Sequence, residues 1–121
     1  MANILVAEDE ETVRAFVCRA LEHHGHRVRA VADGGAALQA LEEEPFDLLL
    51  TDIVMPVMDG IALALKVTAA YPGMPVLLMT GYAAEKQRAH NLDELIHDVI
   101  SKPFSLDEIG AAVARALAAA S

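Results

Sequence analysis

Two hydrophobic rhythms alternate along this chain. Short apolar runs of strand length are separated by segments whose apolar positions recur at three- and four-residue intervals. Residues 4–7 (Ile-Leu-Val-Ala) form a run that ends in acids. Over residues 10–24 the apolar positions are Val13, Phe16, Val17, Ala20 and Leu21, the stripe of an amphipathic helix. Gly25 follows, as at a helix C-terminus. The unit then recurs. Residues 27–31 alternate and predict a strand, and residues 36–44 predict a short helix stopped by Pro45. Residues 47–51 (Asp-Leu-Leu-Leu-Thr) read as a strand buried on both faces. Residues 61–71 are helical and end at Pro72-Gly73, and residues 75–80 are a second buried strand. A weaker, more polar helix spans residues 83–95, and residues 98–101 make a fifth strand. Residues 106–120 predict a last helix with Leu106, Ile109, Val113, Ala116 and Leu117 inward.

Five strands alternating with five helices predict an α/β fold, a parallel sheet covered on both faces. In such sheets the functional crevice lies beyond the carboxyl ends of the strands. The 121 residues are one domain's worth, read as a single domain over 1–121 with no effector domain after Ser121. Aromatics are 4% of a chain that is 55% hydrophobic, so the core must be aliphatic. Eighteen acids against nine bases give a formal charge of -9, which disfavours nucleic acid and anionic lipid as partners. The single Cys18, the lack of a signal-like start and the lack of a long apolar run predict a cytoplasmic protein.

The predicted strand ends carry the chemistry. Glu8, Asp9, Glu10 and Glu11 follow the first strand, Asp52 ends the third, Thr80 and Gly81 the fourth, and Lys102-Pro103 the fifth. Carboxylates gathered at one edge raise each other's pKa, and a cation relieves this. Oxygen ligands without His or Cys select a hard ion such as Mg²⁺. A half-buried aspartate such as Asp52 can act as a nucleophile toward a phosphoryl group. Lys102 and Thr80 can then reach the phosphoryl oxygens.

The motifs Glu8-Asp9-Glu10, Thr51-Asp52-Ile53-Val54-Met55-Pro56-Val57-Met58-Asp59-Gly60, Met79-Thr80-Gly81 and Ser101-Lys102-Pro103-Phe104 resemble those of response-regulator receiver domains of two-component signalling. The resemblance covers nearly the whole chain. It implies a flavodoxin-like, CheY-like sheet of order 2-1-3-4-5, with Asp52 as phosphoacceptor. Asp9 and Asp52 are implied as direct Mg²⁺ ligands, with the Val54 backbone carbonyl as a third and Glu8 acting through water. Thr80 and Lys102 are implied to contact the phosphoryl group, and the Lys102–Pro103 bond to be cis. Gly60 is implied to open the third helix. The partners implied are a histidine kinase or histidine phosphotransfer protein and a protein target. Such a receiver promotes its own aspartyl phosphorylation and dephosphorylation and is not otherwise an enzyme.

Four positions depart from the pattern, the first being Glu8, since the acidic pair is Glu8-Asp9 rather than two aspartates, a common variation. Val99 stands where an aromatic usually couples to the threonine. Val54 offers no polar side chain to orient water, and Tyr82 can shield the acyl phosphate, so self-dephosphorylation is expected to be slow. A narrower resemblance, over residues 44–56, 79–83 and 97–104, is to stand-alone receivers of alphaproteobacteria that govern regulated proteolysis in the cell cycle. It implies that the unphosphorylated form engages the ClpX unfoldase of the ClpXP protease. A chemotaxis-like motor regulator and a phosphorelay shuttle are the alternatives within signalling.

Other readings fit less well. A flavodoxin-like electron carrier needs a hydroxyl- and Gly-rich loop where Glu8 to Glu11 stand. A Mg²⁺-dependent phosphatase needs a second aspartate where Val54 stands. His23, His24 and His26 lack the spacing of a metal site, Cys18 reads as a passive small residue, and Asp33-Gly34-Gly35 reads as a turn. The polar helix holding Lys86, Gln87, Arg88, His90 and Asn91 serves equally as a mobile switch or a solvated surface.

Overall fold

The computed structural model describes residues 2–91 and 96–120. Strands and helices alternate strictly: β1 (Asn3–Ala7), α1 (Glu11–His23), β2 (Arg27–Val31), α2 (Gly34–Glu43), β3 (Leu48–Asp52), α3 (Gly60–Ala70), β4 (Val76–Thr80), α4 (Ala83–His90), β5 (Asp98–Ser101) and α5 (Leu106–Ala120). The strands form one parallel sheet of order β2-β1-β3-β4-β5. The chain reverses its direction of travel across the sheet between β1 and β3, so a crevice opens above that pair.

Strand alternation sorts the core into two layers. Ile4, Val6, Leu48, Leu50, Leu77 and Met79 pack with Val17, Ala20 and Leu21 of α1 and with Ile109, Val113 and Ala116 of α5. Leu5, Ala7, Leu49, Leu78 and Val99 pack on the other face with Ala37 and Leu41 of α2, Leu63 and Val67 of α3, and Ala89 of α4. β3 and β4 are buried along their whole length, as their unbroken apolar runs require. The core is aliphatic, with aromatics at its margins: Phe46 packs against one layer and the Phe16–Phe104 pair, with ring centroids 6.3 Å apart, against the other.

Boundaries shift where capping and register decide them. The third strand runs one residue later than its apolar run suggests. Asp47 lies before it, exchanging backbone and side-chain hydrogen bonds with Asn3, and Asp52 becomes the last residue of β3. Asp33-Gly34-Gly35 is a helix start rather than a free turn, because the Asp33 carboxylate accepts the Ala36 N–H at 2.8 Å. Asp59 caps α3 in the same way through Ala62 at 2.8 Å. α4 is described to His90 with Asn91 as its C-cap, and residues 92–95 of the helix expected through residue 95 lie outside the described residues.

Gly60 opens α3 beside the end of β3. A Cβ there would meet the Asp52 carbonyl oxygen at 2.0 Å, so no side chain fits. Its N–H donates to the Ile53 carbonyl at 2.7 Å and closes the loop that leaves Asp52.

Candidate functional site

The residues expected at the strand ends converge. Oxygens of Glu8, Asp9 and Asp52 lie within 4.8 Å of one another. Lys102 reaches in from beyond β5, its Nζ 2.7 Å from Glu8 Oε1 and 3.2 Å from Asp52 Oδ1. A cleft of about 520 Å³ opens above them, lined by Asp9, Glu10, Asp52, Val54, Gly81, Tyr82 and Lys102.

Each group is held by its element. Asp52 is 7% exposed at the tip of a buried strand. Glu8 is fully buried, with its Oε2 accepting the Glu10 N–H at 3.1 Å. Asp9 is exposed. Thr80 ends β4 at 2% exposure, and its Oγ accepts the Tyr82 N–H at 3.1 Å, which folds the β4–α4 loop back toward the site. The Lys102 N–H donates to the Thr80 carbonyl at 2.8 Å, and the Lys102–Pro103 bond is cis as expected. Val54 is 47% exposed and Tyr82 64%, both on the cleft wall.

Electrostatics follow from burial. Desolvation pushes the Glu8 and Asp52 carboxyls above their usual range, more strongly than the bonds from Lys102 pull them down. Burial disfavours the Lys102 ammonium, yet its bonds to Glu8 and Asp52 prevail and raise its pKa. Three carboxylates and one ammonium leave a formal charge of -2. One divalent cation cancels that charge, and an all-oxygen donor set suits a hard ion. The donor set therefore fits Mg²⁺, with Asp9 and Asp52 facing the cleft.

Residues 4–114 match the model of the response regulator receiver domain. The chain belongs to the response-regulator receiver family. Among relatives of this receiver, the response regulator receiver protein CpdR of Brucella abortus is 42% identical over 120 residues, covering 99% of this chain and 100% of CpdR. The transcriptional regulatory protein TcrA of Mycobacterium tuberculosis is 37% identical over 88% of this chain, which spans 42% of TcrA. A CheY-like receiver from Methanospirillum hungatei superposes with a TM-score of 0.91 at 28% identity, covering 99% of this chain and 96% of that one. The receiver domain of NtrX from Brucella abortus gives 0.88 at 30% identity, covering 95% and 98%. No described helix is long and apolar enough to cross a membrane.

Arg14 and the backbone of Val57 were not singled out by sequence reasoning at this receiver site. Arg14, one turn into α1, donates to the Glu8 carbonyl at 2.9 Å and steadies the acidic loop. Val57 adopts φ 72° in the loop after Asp52, in a three-residue turn closed by the Met58 N–H on the Pro56 carbonyl at 2.8 Å. Pro56 flags a turn there, but no residue type announces positive φ at a valine. Val99 pairs with Leu78 in register and is buried, an aliphatic plug where the family usually has a ring. The histidines join no metal-ligand group among the described residues. His24 lies over α5, its Nε2 3.2 Å from the Leu106 carbonyl, and Gly110 leaves room for its ring.

Proposed function

We propose that this receiver takes a phosphoryl group on Asp52 and thereby switches a protein-binding surface. The observation that carries the reading is the placement of one strand-end aspartate beside a lysine and two further acids. Asp52 lies 3.2 Å from the Lys102 ammonium and within 4.8 Å of the oxygens of Glu8 and Asp9. An ionised Asp52 oxygen attacks the donor phosphorus, forming a P–O bond. The bond from phosphorus to the donor breaks, and its electron pair leaves with the donor. The chemistry is mostly positioning and charge neutralisation. Asp9, Asp52 and the Val54 carbonyl would hold Mg²⁺, which neutralises the phosphoryl oxygens. Lys102 supplies a point charge to the same oxygens, and the Thr80 hydroxyl donates to one of them. The receiver acts on itself and turns over no other substrate.

Histidine kinases or histidine phosphotransfer proteins are the donors in this reading. The output is control of ClpXP-dependent proteolysis in the cytoplasm, with the unphosphorylated form engaging ClpX. The 42% identity with CpdR over nearly the whole chain supports that output.

Intact-mass measurement after incubation with acetyl phosphate and Mg²⁺ tests the core of the reading. One phosphoryl group should add to the wild type and none to Asp52→Ala or to protein without Mg²⁺. No adduct on the wild type, under conditions that label another receiver, would overturn it. The same label should decay slowly because Val54 and Tyr82 wall the cleft; a half-life of seconds contradicts that. Immobilised ClpX should retain the unphosphorylated chain and release the phosphorylated one, and retention of only the phosphorylated form reverses the assignment of states.

A further inference from the structure

One hydroxyl interrupts the apolar run of the central strand. β3 reads Leu48-Leu49-Leu50-Thr51-Asp52, and Thr51 is fully buried. Its backbone stands in register with Ala7 of β1 and Leu78 of β4. Strand alternation turns its side chain to the face of Leu49, into the layer that holds Ala7, Leu78 and Met55. A hydroxyl in apolar surroundings is costly unless it is hydrogen-bonded. Valine has nearly the same shape and carries no such cost, so what the hydroxyl bonds to explains its use here.

It donates to the carbonyl oxygen of Asp52 at 2.9 Å. The Met55 thioether, a weak acceptor, lies farther off at 3.8 Å. The Ile53 N–H, at the other end of the same peptide unit, donates to the Met79 carbonyl at 3.1 Å. That unit is planar, so bonds at its two polar ends fix its rotation. Gly60 packs against the same Asp52 carbonyl, and its N–H on the Ile53 carbonyl at 2.7 Å closes the loop. The Asp52–Ile53 peptide joins the residue that carries the carboxylate to the segment that carries the Val54 carbonyl. A swivel of this one peptide would turn the two groups relative to each other.

We propose that Thr51 is a positioning residue: its buried hydroxyl locks the Asp52–Ile53 peptide and so aims the Asp52 carboxylate and the Val54 carbonyl at one cation. This rests on the reading of those two groups as Mg²⁺ ligands.

The first arm of the test uses the full chain without metal. Thr51→Val keeps the shape of the side chain and removes the donor. Amide hydrogen exchange at Ile53 and Gly60 should quicken about fivefold relative to Leu50 and Leu77, the equivalent of one neutral hydrogen bond. No change, or equal acceleration at all four amides, overturns the proposal. The second arm is the Kd for Mg²⁺ by calorimetry. It should rise about fivefold in Thr51→Val and return to within about twofold of wild type in Thr51→Ser, which restores the hydroxyl. Met55→Leu, a swap of similar volume, should also stay within about twofold. A Kd unmoved in Thr51→Val, unrestored in Thr51→Ser, or raised as much by Met55→Leu overturns the proposal. Thr51→Ala serves the same comparisons should the valine variant not fold. A wild type that binds no Mg²⁺ overturns the ligand reading and the proposal with it. One that binds Mg²⁺ but takes no label from acetyl phosphate overturns the phosphoacceptor reading alone, and the two arms still decide the role of Thr51.

Discussion

Val57 holds the least comfortable backbone in the described chain. It is β-branched at φ 72° and 84% exposed, so no buried contact of its side chain offsets the strain. Such conformations cost on the order of 1–3 kcal/mol at non-glycine residues. Val57→Gly removes the clash but adds freedom to the unfolded chain, worth about 0.5–1 kcal/mol. The variant should be more stable by about 1 kcal/mol, read as a higher midpoint in urea at unchanged slope. A lower midpoint would mean that the valine methyls hold the loop in place. The strain sits in the loop between Asp52 and the Asp59 cap, five residues after the phosphoacceptor proposed here. Pro56 marks the turn in the sequence, but the sign of φ at Val57 follows from how the loop must return to Gly60, and that is not a local property.

α4 is held differently from the other helices. Among its described residues, Ala89 is the one that is buried in the core. Its remaining ties are polar: Lys86 Nζ donates to Ser101 Oγ at 2.9 Å, and Arg88 pairs with Glu85 and, at 3.3 Å, with Asp59. Asp59 also caps α3, so Arg88 links α4 to the loop that leaves Asp52. An exposed pair of this kind contributes little, because solvent and salt screen it. Arg88→Ala should therefore speed hydrogen exchange across residues 83–90 by roughly 1.5- to 5-fold and leave β3 and β4 unchanged. Unchanged exchange in α4 would show that packing alone holds it. The low apolar content of this segment was visible in the sequence as a weak helix. The bridge to Asp59 was not, because the two residues lie 29 apart and meet only when β4 docks beside β3.

The charges at the sheet edge act on the stability of the whole fold. Burial raises the Asp52 and Glu8 carboxyls from ordinary values of 3.8 and 4.5. The folded state then holds protons that the unfolded chain releases first, so stability falls as pH rises from those ordinary values through the raised ones. Lys102 acts in the same sense but in a far more alkaline window. Its raised pKa contributes stability that is present below the ordinary 10.5 and lost only as pH climbs through the folded value. At neutral pH without cation, Asp52→Asn should melt roughly 3–6 °C higher, the shift made by about 1 kcal/mol in a domain of this size. Mg²⁺ should close that gap by stabilising the wild type preferentially. A lower melting temperature for the variant would mean that the attraction of Lys102 for Asp52 outweighs the burial of the carboxylate.

The element order, the two buried central strands and the chemical character of the strand ends were determined by sequence alone. Each rests on local patterns: side-chain period, Pro and Gly stops, and polar residues following apolar runs. Asp9, Asp52, Thr80 and Lys102 could be named because a parallel sheet brings all its strand ends to one edge. Helix starts were misplaced by up to two residues at Gly34, where a capping carboxylate rather than hydrophobic period sets the boundary. Only the tertiary structure decided which edge residues touch. Glu8 and Lys102 are 94 residues apart and meet at 2.7 Å because strands from opposite sides of the sheet frame one crevice. The same close packing bars a side chain at Gly60 and seats the His24 ring over Gly110. These contacts depend on distances between elements, and the chain acquires those distances only when both core layers have closed.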